Sequence, residues 1–126
     1  MNGNEYQDMA MRTNDGKAAE RLEKATREAA AMGYDLAGLL NGLLGLSGET
    51  GEFTDMIKKW IFHKKPIDLE HLKKELGDIL WYVALICNGC EWDMNEIMQM
   101  NIDKLKARYP EGFDTEKANN RKEGDI

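Results

Sequence analysis

The chain has 126 residues, of which 42% are hydrophobic and 32% charged, a composition typical of one soluble globular domain. Its formal net charge of −6, with no basic run beyond short lysine pairs, argues against binding to a nucleic-acid polymer or to an anionic membrane. No run approaches the roughly 18 apolar residues of a membrane span, and the polar start is unlike a signal peptide, so the sequence predicts a cytoplasmic protein.

All predicted elements are helices, because only two prolines occur and no segment alternates steadily between apolar and polar residues. The periodicity predicts five helices, over about residues 5–12, 17–32, 35–63, 68–88, and 93 to the "YPEGF" at 109–113. Gly33 should end the second helix and Pro66 the third. Asp68 is the expected N-cap of the fourth. Asp93 and Glu96 resemble a capping box that begins the fifth.

The third and fourth predicted helices are apolar over more of their circumference than one chain can cover. Leu36, Leu40 and Leu44 widen the apolar face of the third, and Leu80 and Trp81 that of the fourth. Such helices are normally buried on several sides. We therefore expect an all-α fold, a bundle of about four to five helices per chain over residues 1–114. A homodimer, or two dimers stacked as a tetramer, would complete it. Residues 115–126 read as a polar tail, either loose or lying over a partner subunit.

Two acid pairs lie three residues apart on consecutive predicted helices, Glu49 with Glu52 and Glu75 with Asp78. Each pair shares a helix face beside the apolar stripe. Three glycines extend the first of these faces, where they would let a backbone or a ligand come close: Gly38, Gly42 and Gly45. Four converging carboxylates require a cation, and hard oxygen ligands suit Mg²⁺ or Mn²⁺. The alternative is a solvated acidic face paired with lysines.

Two other kinds of site fit the sequence less well. A di-iron bundle needs Glu-x-x-His, but here the third residue after each Glu is acidic, and His63 and His71 are misplaced. Cys87 and Cys90 form C-x-x-C without a second Cys/His pair or a βαβ pattern. They are interpreted as two ordinary buried thiols at a helix end.

The stretch "GETGE" at 48–52, then twenty-two residues, then "ELGD" at 75–78, resembles the E-x-x-E…E-x-x-D signature of MazG-like nucleotide pyrophosphohydrolases. The likeness extends to "GDILWYVA" and "NIDKLKARYPEGF" and covers about 39–113. It implies an all-α, oligomeric enzyme that hydrolyses nucleoside triphosphates to monophosphate and pyrophosphate with Mg²⁺. The implied metal ligands are Glu49, Glu52, Glu75 and Asp78. One of the four, with Glu52 and Glu49 as the first candidates, would be the catalytic base.

Further residues are expected to hold the nucleotide. Asn101, Lys104 and Arg108 share a face of the fifth helix and match the family's N-x-x-K-x-x-x-R pattern, so Lys104 and Arg108 are assigned to phosphate. The alternative is a solvated basic face that suits the helix dipole. Lys59, on the face of the first acid pair, is a further phosphate candidate. Tyr82, one turn beyond the second pair, could contact the sugar or base.

The predicted function is Mg²⁺-dependent hydrolysis of ribo- or deoxyribonucleoside triphosphates, in the removal of aberrant or surplus nucleotides. Two alternatives stay open. One is a non-catalytic helical protein that binds metal or a nucleotide for regulation. The other keeps the chemistry but acts as a dUTPase-like or phosphoribosyl-ATP pyrophosphohydrolase.

Overall fold

The computed structural model describes residues 1–122 and 124–126, and this part of the chain contains helices and no β-strand. The helices are α1 (Gly3–Met11), α2 (Ala18–Ala31), α3 (Leu36–Phe62), α4 (Leu69–Gly89), α5 (Met94–Arg108) and α6 (Thr115–Asn119). The all-α prediction is confirmed. The five predicted helices correspond to α1–α5, with ends that differ by two residues or fewer. The short α6 lies within the segment that was expected to be a polar tail.

Aspartate side chains cap the starts of the three helices that matter for the site. Asp35 and Asp68 each accept a hydrogen bond at 3.0 Å from the main-chain N–H three residues on, and Asp93 accepts one at 2.8 Å from the Asn95 N–H. The predicted N-caps Asp68 and Asp93 are confirmed. The predicted capping box at Asp93 is wrong, because the Asp93 side chain accepts its hydrogen bond from the N–H of Asn95 and not from that of Glu96. A complete capping box instead begins α1.

The α2–α3 connection is attached to the far end of α4. Gly33 ends α2, as predicted, in a left-handed conformation with φ of 81°. The Asp35 N–H donates to the carbonyl of Gly89 at 2.8 Å. Beside this bond, the rings of Tyr34 and Trp92 meet edge to face with centroids 6.1 Å apart. These contacts hold the start of α3 against the end of α4, so the two helices run antiparallel.

Glycines allow α3 and α4 to pack closely. A Cβ at Gly42 would lie 2.6 Å from Cγ1 of Ile86, and a Cβ at Gly45 would overlap the ring of Tyr82. Farther along α3, Gly48 has no neighbouring atom within 4 Å of the position of a Cβ. Along this face, the element that comes close to α3 at Gly42 and Gly45 is therefore α4 itself.

Gly45→Ala is expected to destabilise the fold by about 1–3 kcal/mol, because the added methyl group overpacks the contact with Tyr82. Gly48→Ala is the matched control. It should stabilise α3 by up to about 1 kcal/mol through helix propensity, since open space surrounds it. Urea unfolding of both variants measures the difference. Equal stabilities would contradict the close contact at Gly45.

Few apolar residues are buried within one chain, and many large ones are exposed. The buried apolar residues of the described chain are Ala29, Leu72, Cys87 and Cys90, and the two cysteines are free thiols, as predicted. Leu44 on α3 is 74% exposed and Trp81 on α4 is 59% exposed. A contiguous apolar surface on a folded chain marks an interaction site or a ligand-binding groove.

No single helix among the described residues has the length and apolar character needed to cross a membrane. The pair α2 and α3 meets that test only together, across a bend of 112°.

Candidate active site

Three glutamates converge between α3 and α4. Glu49 and Glu52 lie one turn apart on α3, and Glu75 reaches them from α4, so that one carboxylate oxygen from each lies within 4.8 Å of the others. Oxygens at this spacing can share one divalent cation, whose ligand distances are about 2.0–2.6 Å. The expected convergence of the two helices therefore holds for these three side chains.

Asp78 lies outside this group of three, although it belongs to the second predicted acid pair. Its side chain is exposed. Its negative charge nevertheless contributes to a raised pKa of Glu49, which places it near the cluster. One turn of α4 separates Asp78 from Glu75, so it flanks the cluster on that helix.

Two carboxylate oxygens of the cluster are buried without a hydrogen-bond donor among the described residues. They are Oε2 of Glu49 and Oε2 of Glu75, while Oε1 of Glu75 lies 3.0 Å from Nε2 of His71. A buried polar atom without a partner is destabilising unless a donor, a water molecule or a metal ion satisfies it. Two orphaned oxygens among three acids fit a hard divalent cation such as Mg²⁺ or Mn²⁺.

Crowding of the carboxylates changes the acidity of Glu49. Burial raises the pKa of the Glu49 carboxyl to about 7, assisted by the hydrogen bond that the protonated carboxyl can donate to Glu75 and by the negative charges of Glu52, Glu75 and Asp78. Without a cation, a proton on Glu49 is therefore favoured more than on an ordinary glutamate. A divalent cation would replace that proton.

The metal-free protein is expected to lose thermal stability as the pH rises. An acid with a raised pKa binds its proton more tightly when folded. Its stabilising effect is complete below the ordinary value of 4.5 and is lost as the pH passes about 7. Circular-dichroism melts in EDTA from about pH 5 to about pH 8 measure this fall, which Mg²⁺ should reverse. A Glu49→Gln variant with the same pH dependence would assign the effect to another group.

The three residues of the α5 motif, of which Lys104 and Arg108 are assigned to phosphate, share one cavity. Asn101, Lys104 and Arg108 line a space of about 810 Å³, and the rest of its described lining comes from the C-terminal segment and other residues of or just after α5, with none from α3 or α4. Arg108 donates from Nε and Nη2 to the two carboxylate oxygens of Asp125, at 2.8 and 2.7 Å. The structure thus brings the basic motif together, but within one chain it does not bring it to the glutamate cluster.

The two remaining candidates have partners within α3 and α4. Nζ of Lys59 lies 2.7 Å from Oδ2 of Asp55, on the surface of α3. The Tyr82 ring packs against Gly45 between the helices and meets Trp81 edge to face, with centroids 5.0 Å apart. Both side chains lie on the helices of the cluster, and Tyr82 is half-buried.

Sequence reasoning missed two partners of the site residues. The sequence excludes His71 as an iron ligand and places it on the face of Glu75, but the contact of its ring with Glu75 was not predicted. The spacing of four residues on one helix is the signal that could have predicted this contact. Asp125 binds Arg108 from seventeen positions away, and no local pattern indicates that contact.

Comparison with known proteins agrees with this geometry. Residues 39–113 match the family described as the MazG nucleotide pyrophosphohydrolase domain. "Gene 37 protein" of Mycobacterium phage L5 is 32% identical over 90 residues, a match that covers 68% of this chain and 79% of the phage protein. No solved structure matches significantly. The family match includes both acid pairs and the basic motif of α5. The chain belongs to the MazG nucleotide pyrophosphohydrolase family.

Proposed function

We propose that this protein hydrolyses ribo- or deoxyribonucleoside triphosphates to the monophosphate and pyrophosphate, with Mg²⁺ as its cofactor and Mn²⁺ as a substitute. The observation that carries the proposal is the cluster of Glu49, Glu52 and Glu75 with two orphaned buried oxygens. A triphosphate and a carboxylate cluster repel each other, so a cation between them is a physical requirement. Family membership supports the reaction class.

The four predicted ligands have different environments, which divides their roles. Glu49 and Glu75, with their buried orphaned oxygens, would hold the ion, and Asp78 would join them from α4 as a further ligand. Glu52 is exposed, so we assign it as the general base toward the attacking water, with Glu49 as the other candidate. Bound Mg²⁺ supplies neutralisation of charge on the phosphate oxygens.

The nucleotide would be held by residues on two surfaces. Lys104 and Arg108, with Asn101 beside them, provide charge-assisted hydrogen bonds for phosphate oxygens. Lys59 and Tyr82 lie on the helices of the glutamate cluster and are the candidates for further phosphate and sugar or base contacts. The described lining of the α5 cavity includes no residue of α3 or α4, which supports a second chain as the means of combining the two surfaces.

A homodimer, or two dimers stacked as a tetramer, would supply that second chain. The exposed leucines and tryptophans of α3 and α4 support this assembly, since a 126-residue chain can bury far more apolar surface than one protomer does here. Pairing these faces would cover Leu44 and Trp81 and could bring α5 of one chain beside the carboxylates of its partner.

The function is tested by incubating the protein with each common ribo- and deoxyribonucleoside triphosphate and Mg²⁺. The expected products are one monophosphate and one pyrophosphate per turnover, separated by ion-exchange chromatography. Parallel reactions with dUTP and phosphoribosyl-ATP distinguish the specialised variants of this chemistry. Diphosphate with inorganic phosphate would contradict the reaction type. Tight, metal-dependent nucleotide binding without any turnover would favour the regulatory alternative.

A further inference from the structure

The C-terminal segment and α5 enclose a basic cleft. Its volume of about 810 Å³ lies within the range of roughly 300–1,000 Å³ that is usual for small-molecule sites. The charged side chains among its described lining are five cations and one carboxylate: Lys104, Arg108, Lys117, Arg121, Lys122 and Asp125. Three of these cations, Lys117, Arg121 and Lys122, come from outside the N-x-x-K-x-x-x-R pattern. The cleft therefore has more positive charge than the α5 motif provides.

Inside the cleft, the Asp125 carboxylate is hydrogen-bonded to the Arg108 guanidinium. Two hydrogen bonds of 2.8 and 2.7 Å join the guanidinium to both carboxylate oxygens, and the side chains are only 9% and 19% exposed. This two-pronged geometry is also the one by which arginine binds a phosphate group. The Asp125 carboxylate thus occupies the place that a phosphate would take on Arg108.

Other cations of the cleft lie near enough to the same carboxylate to act on it through their charge. The hydrogen bonds from Arg108, with smaller contributions from the charges of Arg121 and Lys104, hold the pKa of Asp125 below its ordinary range. Arg121 comes from the C-terminal segment and Lys104 from α5, so both walls of the cleft direct positive charge to one oxyanion position.

We propose that this cleft binds the oligophosphate of the nucleotide, or free pyrophosphate, with Arg121 as a further phosphate-binding residue and Asp125 as an internal competitor. The identity of the ligand rests on the proposed function. A phosphate group carries more negative charge than one carboxylate and uses the same fork of Arg108. Entry of the ligand therefore releases Asp125 from Arg108. Only the protein molecules in which Arg108 is free of Asp125 can bind the phosphate there, so the C-terminal segment lowers the apparent affinity for the ligand.

Calorimetric titration of the full chain with inorganic pyrophosphate in EDTA tests this inference. Asp125→Asn keeps the shape but removes the charge, and should tighten binding by about three- to tenfold. Arg121→Ala should weaken it by about tenfold, the effect of one lost charge-assisted contact. Glu116→Gln is the control for Asp125→Asn. It removes one negative charge from the same segment but lies outside the described cleft lining, so it should leave the affinity for pyrophosphate within about twofold of the wild type.

Arg108→Lys provides a second variant that keeps the positive charge but loses the two-pronged contact. It should weaken pyrophosphate binding, and circular dichroism confirms that each variant is folded. Because EDTA removes divalent ions and no bond is cleaved, the titration does not depend on hydrolysis. An inactive protein whose affinity responds as expected would refute the proposed function alone. Unchanged affinity in both Asp125→Asn and Arg121→Ala would overturn this inference, even in an active enzyme.

Discussion

Glu49→Ala is expected to lower the turnover of a nucleoside triphosphate at saturating Mg²⁺ by a factor of about 10²–10⁴. The physical reason is loss of a metal ligand, since charge stabilisation by a bound cation contributes several kcal/mol to the transition state. Glu52→Ala and Glu75→Ala should have effects of similar size. Asp78→Ala should have the smallest effect of the four, because Asp78 lies outside the converging trio. Pyrophosphate release in a coupled assay measures all four.

The same variants should remain folded, which separates a metal site from a structural role. Glu49→Ala removes a crowded carboxylate, so its melting temperature in EDTA near pH 8 should equal or exceed that of the wild type. Glu70→Ala is the matched control, because this acid is exposed on α4 and pairs with Lys73. Its turnover should not change. Wild-type activity in both Glu49→Ala and Glu75→Ala would refute the metal-site assignment.

Leu44→Glu is expected to convert an active oligomer into an inactive monomer. Burying a leucine side chain stabilises an interface by about 1.5–3 kcal/mol, and a two-fold interface loses it twice, so the dimer should dissociate about 10²–10⁴ times more readily. Light scattering should then report about 14.4 kDa, the mass of one chain, instead of a multiple of it. Trp81→Glu should act in the same direction from α4.

Lys73→Glu is the control for that experiment, because it introduces the same residue at an exposed polar position of α4. It should leave both the mass and the activity unchanged. A wild-type protein that is fully active as a stable single chain would contradict the proposed assembly. It would also require another account of the exposed Leu44 and Trp81.

The helices and their ends were readable from the sequence because they depend on neighbouring residues. Asp68 and Asp93 cap helices through bonds that span two or three positions, and Gly33 ends α2 through its own backbone conformation. The pairing of Glu49 with Glu52 on one face follows equally from the helical repeat. These features involve one helix at a time, so a local pattern is sufficient to predict them.

Contacts between helices depended on how each helix is rotated about its axis when it packs. That rotation brings Glu75 into the cluster but leaves Asp78 beside it, although the two acids share a face of α4. It also places Tyr82 against Gly45, so this glycine serves helix packing. The pairing of Arg108 with Asp125 required the chain to return to α5 from outside the helix. Residue spacing cannot specify these choices, because they balance burial, charge and shape over distant parts of the chain.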